Sequence, residues 1–264
     1  MQYDDLDDLV VEVDGGIAHW RINRPDVLNA MRTRTFWQII ELGKRLQVDA
    51  DVRVVVASHE GRGFSSGADM VSRNPASPEA TPEATQADSM GVSAIGLAMP
   101  RLDKPSIAAI DGVCAGAGYS LALSFDLRYL GPDARFVTVF GRRAMSPDSG
   151  MTYWLPRLVG HAKALELLYT SRDVLAEEAH AIGLGNELVA DPLARAMEVA
   201  RGLAEGAPLS MMWQKRQVRN SWLVDLQRQI EFEWAAQDLL RGTADVAEGR
   251  ASFLGGRKPR FTGR

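Results

Sequence analysis

Apolar positions along the chain change period several times, and each change predicts an element. Leu9–Val13 and Ile17–Ile22 are short runs rich in β-branched residues, joined at Asp14-Gly15-Gly16. Glycine there accepts the positive φ of a tight hairpin turn. A polar bend, Asn23–Asn29, follows. Between Thr35 and Leu46, Phe36, Ile39, Ile40 and Leu46 fall on one helical stripe. Arg53–Ala57 is Val-rich without clean alternation, the pattern of a strand covered on both faces. Ser106–Ile110 predicts another strand, and Asp111-Gly112 marks a turn into the small-residue segment Val113 to Phe125. Arg128–Leu130 and Arg135–Val139 predict two more strands. From Thr152 onward the period is helical: Leu165, Leu168 and Tyr169 share one stripe, and Leu193, Ala196, Met197 and Ala200 another. Leu209 to Leu240 reads as a long helical region rich in Met, Trp and Leu. The order is β/α-alternating first and helical last, without an internal repeat of 20–50 residues.

Two stretches break this pattern. Ser72 to Asp88 carries Pro75, Pro78 and Pro82 among small and polar residues, and almost no large apolar one. Such a stretch cannot bury enough surface to offset its ordering entropy, so it reads as a mobile loop, either a surface insertion or a flap over a site. Ser106 to Phe125 is apolar over about a membrane-spanning length and contains Gly112-x-x-x-Gly116. Asp111 would be expensive in a bilayer, however, and Asp111-Gly112 is a turn signal. A buried strand, a turn and a buried helix account for the run.

Composition narrows the class. The chain has 264 residues, 46% hydrophobic and 24% charged, which suits one large domain or a domain with a helical appendix. Cys114 is the single cysteine, so no internal disulfide can form, which suits a reducing compartment. A net charge of −4 gives no basic field for nucleic acid. Four Asp in the first eight residues oppose a signal-peptide reading. We therefore expect a cytoplasmic protein without nucleic-acid or membrane partners.

Gly63-Phe64-Ser65-Ser66-Gly67 matches the G-x-S-x-G pattern of serine hydrolases. That chemistry needs a strand running straight into the turn and a histidine partner late in the chain. The strand is expected to end near Ala57, and His161 and His180 sit in helical patterns. Gly116-Ala117-Gly118 lacks the third glycine of a dinucleotide fingerprint, since position 121 is Leu. The four histidines are scattered, without metal-ligand spacing. What remains is a pair of Gly-flanked segments, Ser66-Gly67-Ala68-Asp69 and Gly116-Ala117-Gly118, whose backbone N–H groups could converge on one oxygen.

Four ordered motifs carry a resemblance over nearly the whole chain. They are Asn23-Arg24-Pro25-Asp26-Val27-Leu28-Asn29-Ala30-Met31, Gly63 to Met70, Ala109 to Gly118, and Pro147-Asp148-Ser149-Gly150. Leu155 to Gly160 and the tail Phe253 to Gly263 fit as well. Together they resemble the crotonase family, the enoyl-CoA hydratase/isomerase superfamily. The resemblance implies an α/β fold: a spiral of ββα units over residues 1–200 with the acyl-CoA site, and a C-terminal helical trimerisation or lid region over 201–264. It also implies an acyl-CoA thioester substrate, a homotrimer or dimer of trimers, and no cofactor beyond the coenzyme A of the substrate.

The resemblance assigns the oxyanion-hole donors to the backbone N–H groups of Ala68 and Ala117, where they would stabilise a thioester enolate. The two glutamates with which hydratases of this family handle water fall on Ser120 and Phe140. Neither can replace a carboxylate: Phe is inert, and Ser needs an activating partner. Asp148 matches the position at which several family isomerases carry an acid/base Asp; capping the following helix is its alternative role. Family lysines near the coenzyme fall on Asp26 and Val71, so Arg24 or Arg73 is left to substitute. Val27, Ser66, Ala68, Asp69 and Met70 are the remaining expected contacts, with Lys258 reaching a neighbouring subunit's coenzyme. The expectation is an enoyl-CoA isomerase using Asp148. Its rivals are a hydratase with a shifted water-activating group and a catalytically weak protein that binds CoA esters.

Overall fold

The computed structural model describes residues 1–72 and 92–264. Apart from Ser72, the stretch expected to be a mobile loop lies outside the described residues, as does Arg73.

The hairpin forms as its turn residues dictate. Strands β1 (Leu9–Asp14) and β2 (Ile17–Ile22) pair antiparallel, with Leu9 opposite Ile22 and Asp14 opposite Ile17. Gly15 and Gly16 take φ of +55° and +81° between them. Strands β3 (Val54–His59), β4 (Ser106–Ile110), β6 (Leu127–Leu130) and β9 (Glu187–Leu188) continue this sheet in parallel, in the order β1-β2-β3-β4-β6-β9. A second sheet contains β5 (Val113–Ala115), β7 (Arg135–Val137) and β8 (Val174–Leu175).

Both faces of the larger sheet are covered, and β3 shows why its sequence does not alternate. Val55 and Ala57 face the main core, where helix α1 (Thr33–Val48) buries Phe36, Ile39, Leu42 and Leu46. Val54 and Val56 face a second cluster, closed by Ala196, Ala200 and Ala204 of helix α6 (Pro192–Ala204). An apolar residue is needed on either side. Truncating such a residue, Leu42→Ala for example, would cost about 2–5 kcal/mol.

The run from Ser106 to Phe125 resolves into β4, a turn at Gly112, β5 and helix α2 (Gly116–Leu123). Gly112 has φ +61°, and a Cβ there would lie 2.0 Å from the Arg62 carbonyl oxygen. Only glycine lets the chain pass from one sheet to the other here. The units β4-β5-α2 and β6-β7 followed by helices α3 (Met151–Val159) and α4 (His161–Thr170) are successive ββα turns of a spiral. No helix among the described residues is long and apolar enough to cross a membrane.

After helix α5 (Ala176–Ala181) and α6, the C-terminal region is helical, but not continuous. Helices α7 (Pro208–Asn220) and α8 (Leu226–Arg241) are separated because Asp225 caps α8, accepting from the Arg228 N–H at 3.0 Å. Thr243 likewise caps α9 (Ala244–Leu254). Ion pairs dock α7 on the core: Lys215 meets Asp126 at 2.5 Å, and Arg216 grips both oxygens of Asp103. Along α8 and α9, Trp234 (62%) and Phe253 (85%) stand exposed.

Candidate active site

The site is built where three backbone segments run side by side. Ser65 pairs in parallel with Cys114, and Met31 with Ala68. Met31 N–H donates to the Gly67 carbonyl at 2.7 Å, and Asp69 N–H donates to the Met31 carbonyl at 2.9 Å. The Ala68 N–H between them is turned away from Met31 and has no protein acceptor among the described residues. Ala117 is the second residue of α2, so its N–H is one of the amides a helix start leaves unpaired. It also has no acceptor among the described residues.

Glycines bring the two segments together. A Cβ on Gly67, at φ +96°, would lie 2.8 Å from the Ala115 carbonyl and 3.5 Å from the Ala117 nitrogen. One on Gly118 would lie 2.6 Å from Ser65 Cβ. Two neighbouring unpaired amides can polarise a carbonyl oxygen and hold negative charge as it develops.

Ser65 is not a nucleophile. It is fully buried; its Oγ donates to the Asn29 carbonyl at 2.8 Å and accepts from Gly67 N–H at 3.2 Å. The G-x-S-x-G match therefore marks the scaffold of this corner. The strand before it runs to His59, two residues beyond the expected end.

Asp148 lies on the loop before α3, with its side chain exposed. Its carboxylate caps nothing: Gly150 is the N-cap residue of α3 and no side chain bonds there. The capping bond comes from the backbone, with Met151 N–H donating to the Asp148 carbonyl at 3.1 Å. The same carbonyl accepts from Ser120 Oγ at 3.1 Å, so one face of α2 carries both the Ala117 amide and the tether of the Asp148 loop. Ser120 is fully buried and also reaches the Gly116 carbonyl at 3.3 Å. Phe140 is buried and leads into a 3-10 turn at Gly141–Arg143. Val139 before it and Ser149 after Asp148 both have φ of +54°. A β-branched residue in that region is strained, and strain of this kind gathers at functional sites.

The expected coenzyme contacts divide into two groups. Val27 and Ser66 meet at the surface, where Ser66 N–H donates to the Leu28 carbonyl at 2.9 Å and Ser66 Oγ to the Val27 carbonyl at 3.4 Å; Met70 is exposed beyond Ala68. Arg24 and Asp69 bind each other at 3.0 Å, and the same Arg24 nitrogen reaches the Ala30 carbonyl. Burial works against ionisation of Asp69, but the Ser72 amide and the Arg24 guanidinium hold its carboxyl below the usual range. This pair shapes the loop and leaves only the rest of the guanidinium for a phosphate. Lys258 is exposed in the tail and pairs with Glu205. Asp26 and Val71 are exposed, as a coenzyme edge requires, but neither carries positive charge. Among the described residues, no cluster of His, Cys, Asp or Glu could hold a metal ion.

The fold and the paired amides define a crotonase-type architecture. The sequence model of the enoyl-CoA hydratase/isomerase family matches residues 12–264, and the chain belongs to that family of acyl-CoA enzymes. It is 31% identical to the 1,2-epoxyphenylacetyl-CoA isomerase of Escherichia coli, over 97% of this chain and 98% of that one. It is 28% identical to the short-chain-enoyl-CoA hydratase of Clostridium acetobutylicum, over 96% and 97% of the two chains. A solved enoyl-CoA hydratase of Bacillus anthracis superposes with a TM-score of 0.91 at 27% identity, covering 97% of this chain and all of the other (100%).

Proposed function

We propose that this enzyme isomerises an enoyl-CoA or a related acyl-CoA, with Asp148 as the proton shuttle. The thioester oxygen would lie between the Ala68 and Ala117 amides, whose donors stabilise the enolate as it forms. The Asp148 carboxylate removes a proton from one carbon, the electron pair moves into the thioester, and the protonated Asp148 returns the proton to another carbon. The double bond shifts and nothing is added or lost. The observation that carries this reading is the tether from Ser120 to the Asp148 carbonyl. It ties the backbone of the Asp148 loop to the helix that carries the Ala117 amide, and Ser120 and Phe140 supply no carboxylate of their own.

The coenzyme would run along the Val27, Ser66 and Met70 edge, with Lys258 serving a neighbouring chain in a homotrimer or dimer of trimers. The reaction uses no further cofactor and suits a cytoplasmic enzyme. Residues 1–200 would hold the chemistry, and 201–264 would cover and assemble it. The exposed apolar side chains of α8 and α9 support that division.

Hydration is the second reading, favoured by the likeness to a hydratase. Product analysis of enoyl-CoA and dienoyl-CoA substrates in deuterated water separates the two. Isomerisation gives a shifted double bond without a gain of water, with carbon-bound deuterium to the extent that protonated Asp148 exchanges with solvent before it gives the proton back. A hydroxyacyl product overturns it, and binding without turnover would point to a CoA-ester-binding protein.

A further inference from the structure

Beside Asp148 lies a cavity of about 530 Å³ whose walls come from both regions of the chain. Ser149 and Gly150 form its edge on the Asp148 loop, Gly96 and Leu97 one side, Tyr153 and Trp154 the floor, and Leu223 of the turn between α7 and α8, with Phe232 of α8, the far side. We infer that this cavity is the acyl-group subsite and that it selects a planar, ring-bearing acyl group over a linear one. The inference rests on the acyl-CoA reading above and adds the substrate class.

Three features support it. First, two glycines let the Asp148 loop lie directly against the walls of the cavity. A Cβ on Gly96 would lie 2.1 Å from the Ser149 carbonyl, and one on Gly150 would lie 3.4 Å from the Trp154 ring. The backbone therefore packs closely there, and no side chain stands between the loop and the Trp154 indole. Second, the floor is aromatic and its rings are already set edge to face. Tyr153 and Trp154 lie 5.0 Å apart at 84°, and the Arg157 guanidinium stacks on Tyr153 at 3.8 Å. A flat ring can join such a cluster through offset or edge contacts that an alkyl chain cannot make. A ring also has few rotors to freeze, whereas a linear chain loses several on binding. Third, the Arg219 guanidinium lies in the wall. It donates to the Leu102 carbonyl at 2.9 Å and has no carboxylate partner among the described residues, whereas its neighbours Lys215 and Arg216 are paired. A guanidinium that hydrogen-bonds no carboxylate can stack on the π-face of a ring, a contact that an alkyl chain does not offer.

The side of the cavity formed by α7, through Arg216, Arg219 and Asn220, is tied down. Helix α7 is held to the core by Lys215 on Asp126 and by Arg216 on Asp103. A cavity of this size suits a ring and would leave a short linear acyl group loosely held.

The test uses binding of thioesters that carry no double bond to move, so that it is independent of the isomerisation step. Phenylacetyl-CoA, butyryl-CoA and octanoyl-CoA are titrated calorimetrically into the intact protein. Phenylacetyl-CoA is expected to bind about tenfold more tightly than either linear thioester. Leu97→Trp, which fills the cavity from a position 46% exposed and so spares the core, should bring the ratio towards one. Tyr153→Leu should lower it as well. Equal affinities, tighter binding of octanoyl-CoA, or a ratio that neither variant changes would overturn the inference and leave the isomerase reading standing. Failure of all three thioesters to bind would overturn both.

Discussion

Ser120 Oγ donates to the backbone carbonyl of Asp148 at 3.1 Å. A residue expected at a family glutamate position thus holds the loop bearing the proposed acid/base. Ser120→Ala removes that tether and leaves the Asp148 carbonyl with Met151 N–H alone. A buried neutral hydrogen bond contributes about 0.5–1.5 kcal/mol, so the variant should stay folded. Its kcat should fall by up to about 10²-fold if the loop shifts by an ångström. Combining it with Asp148→Asn should add little further loss. Full additivity of the two losses in steady-state kinetics would show that Ser120 does not act through Asp148.

Asp148→Asn tests the carboxylate itself. Its side chain caps no helix, so replacement should leave the melting temperature and thioester affinity nearly unchanged. Loss of a general acid/base should lower kcat by about 10²–10⁴-fold. The check is turnover together with deuterium incorporation. A variant that keeps near-full turnover removes Asp148 from the chemistry.

Gly67 carries the approach of the two amides. With φ at +96° and the Ala115 carbonyl 2.8 Å from a would-be Cβ, Gly67→Ala must push the segments apart. The expected result is a fall in kcat of about 10²–10³-fold, the scale of losing one oxyanion donor, with a lowered melting temperature. Thioester binding should weaken less than kcat. Unchanged kcat would mean that the amides are not the catalytic donors.

Much of the frame was legible in sequence, because local chemistry and global fold agree there. Strand Ser106–Ile110 and the hairpin follow from β-branched runs punctuated by Gly15, Gly16 and Gly112. Helix α1 runs two residues beyond the expected span Thr35–Leu46 at each end, since Thr33 and Val48 carry no periodic signal. The break between α7 and α8 depends on one capping carboxylate, Asp225, which a composition-level reading of a long helical region passes over. The two-residue strands β8 and β9 are set by their partners and have no sequence pattern of their own. In the site, the glycines and Asp148 were visible through motifs. The Ser120 tether and the strained Val139 were not, because a serine inside a small-residue helix and a valine in a loop acquire meaning only from what lies across from them.

Assembly can be checked by mass. Trp234 and Phe253 are exposed on the single chain, a surface that a lone soluble protein seldom leaves open. Light scattering at micromolar concentration should report a trimer or hexamer, and Trp234→Glu should reduce the mass towards that of one chain. A monomeric wild type would refute both the oligomer and a role for Lys258 at a neighbouring site.

The last prediction concerns Lys215, which docks α7 against the core. Burial is the largest influence on its amine and pushes it down to about 8 from an ordinary value of 10.5, although Asp126 lies 2.5 Å away and favours the charged form. The sign follows from proton binding. Between about pH 8 and 10.5 the unfolded chain holds this proton and the folded one releases it, so raising the pH through that window favours folding at this site. Below pH 8 both states carry the charge, and the full desolvation penalty opposes the fold. Lys215→Met keeps an apolar stem but cannot titrate, while Asp126 retains its bonds from Ser106 N–H and Oγ at 2.8 and 2.9 Å. Urea-unfolding midpoints of the two proteins, compared from pH 7 to 10.5, cancel the titration of every other group. The wild type should gain stability relative to Lys215→Met across the window. A flat difference would mean that Lys215 titrates alike in both states, and a falling one that Asp126 holds the charge more strongly than burial expels it.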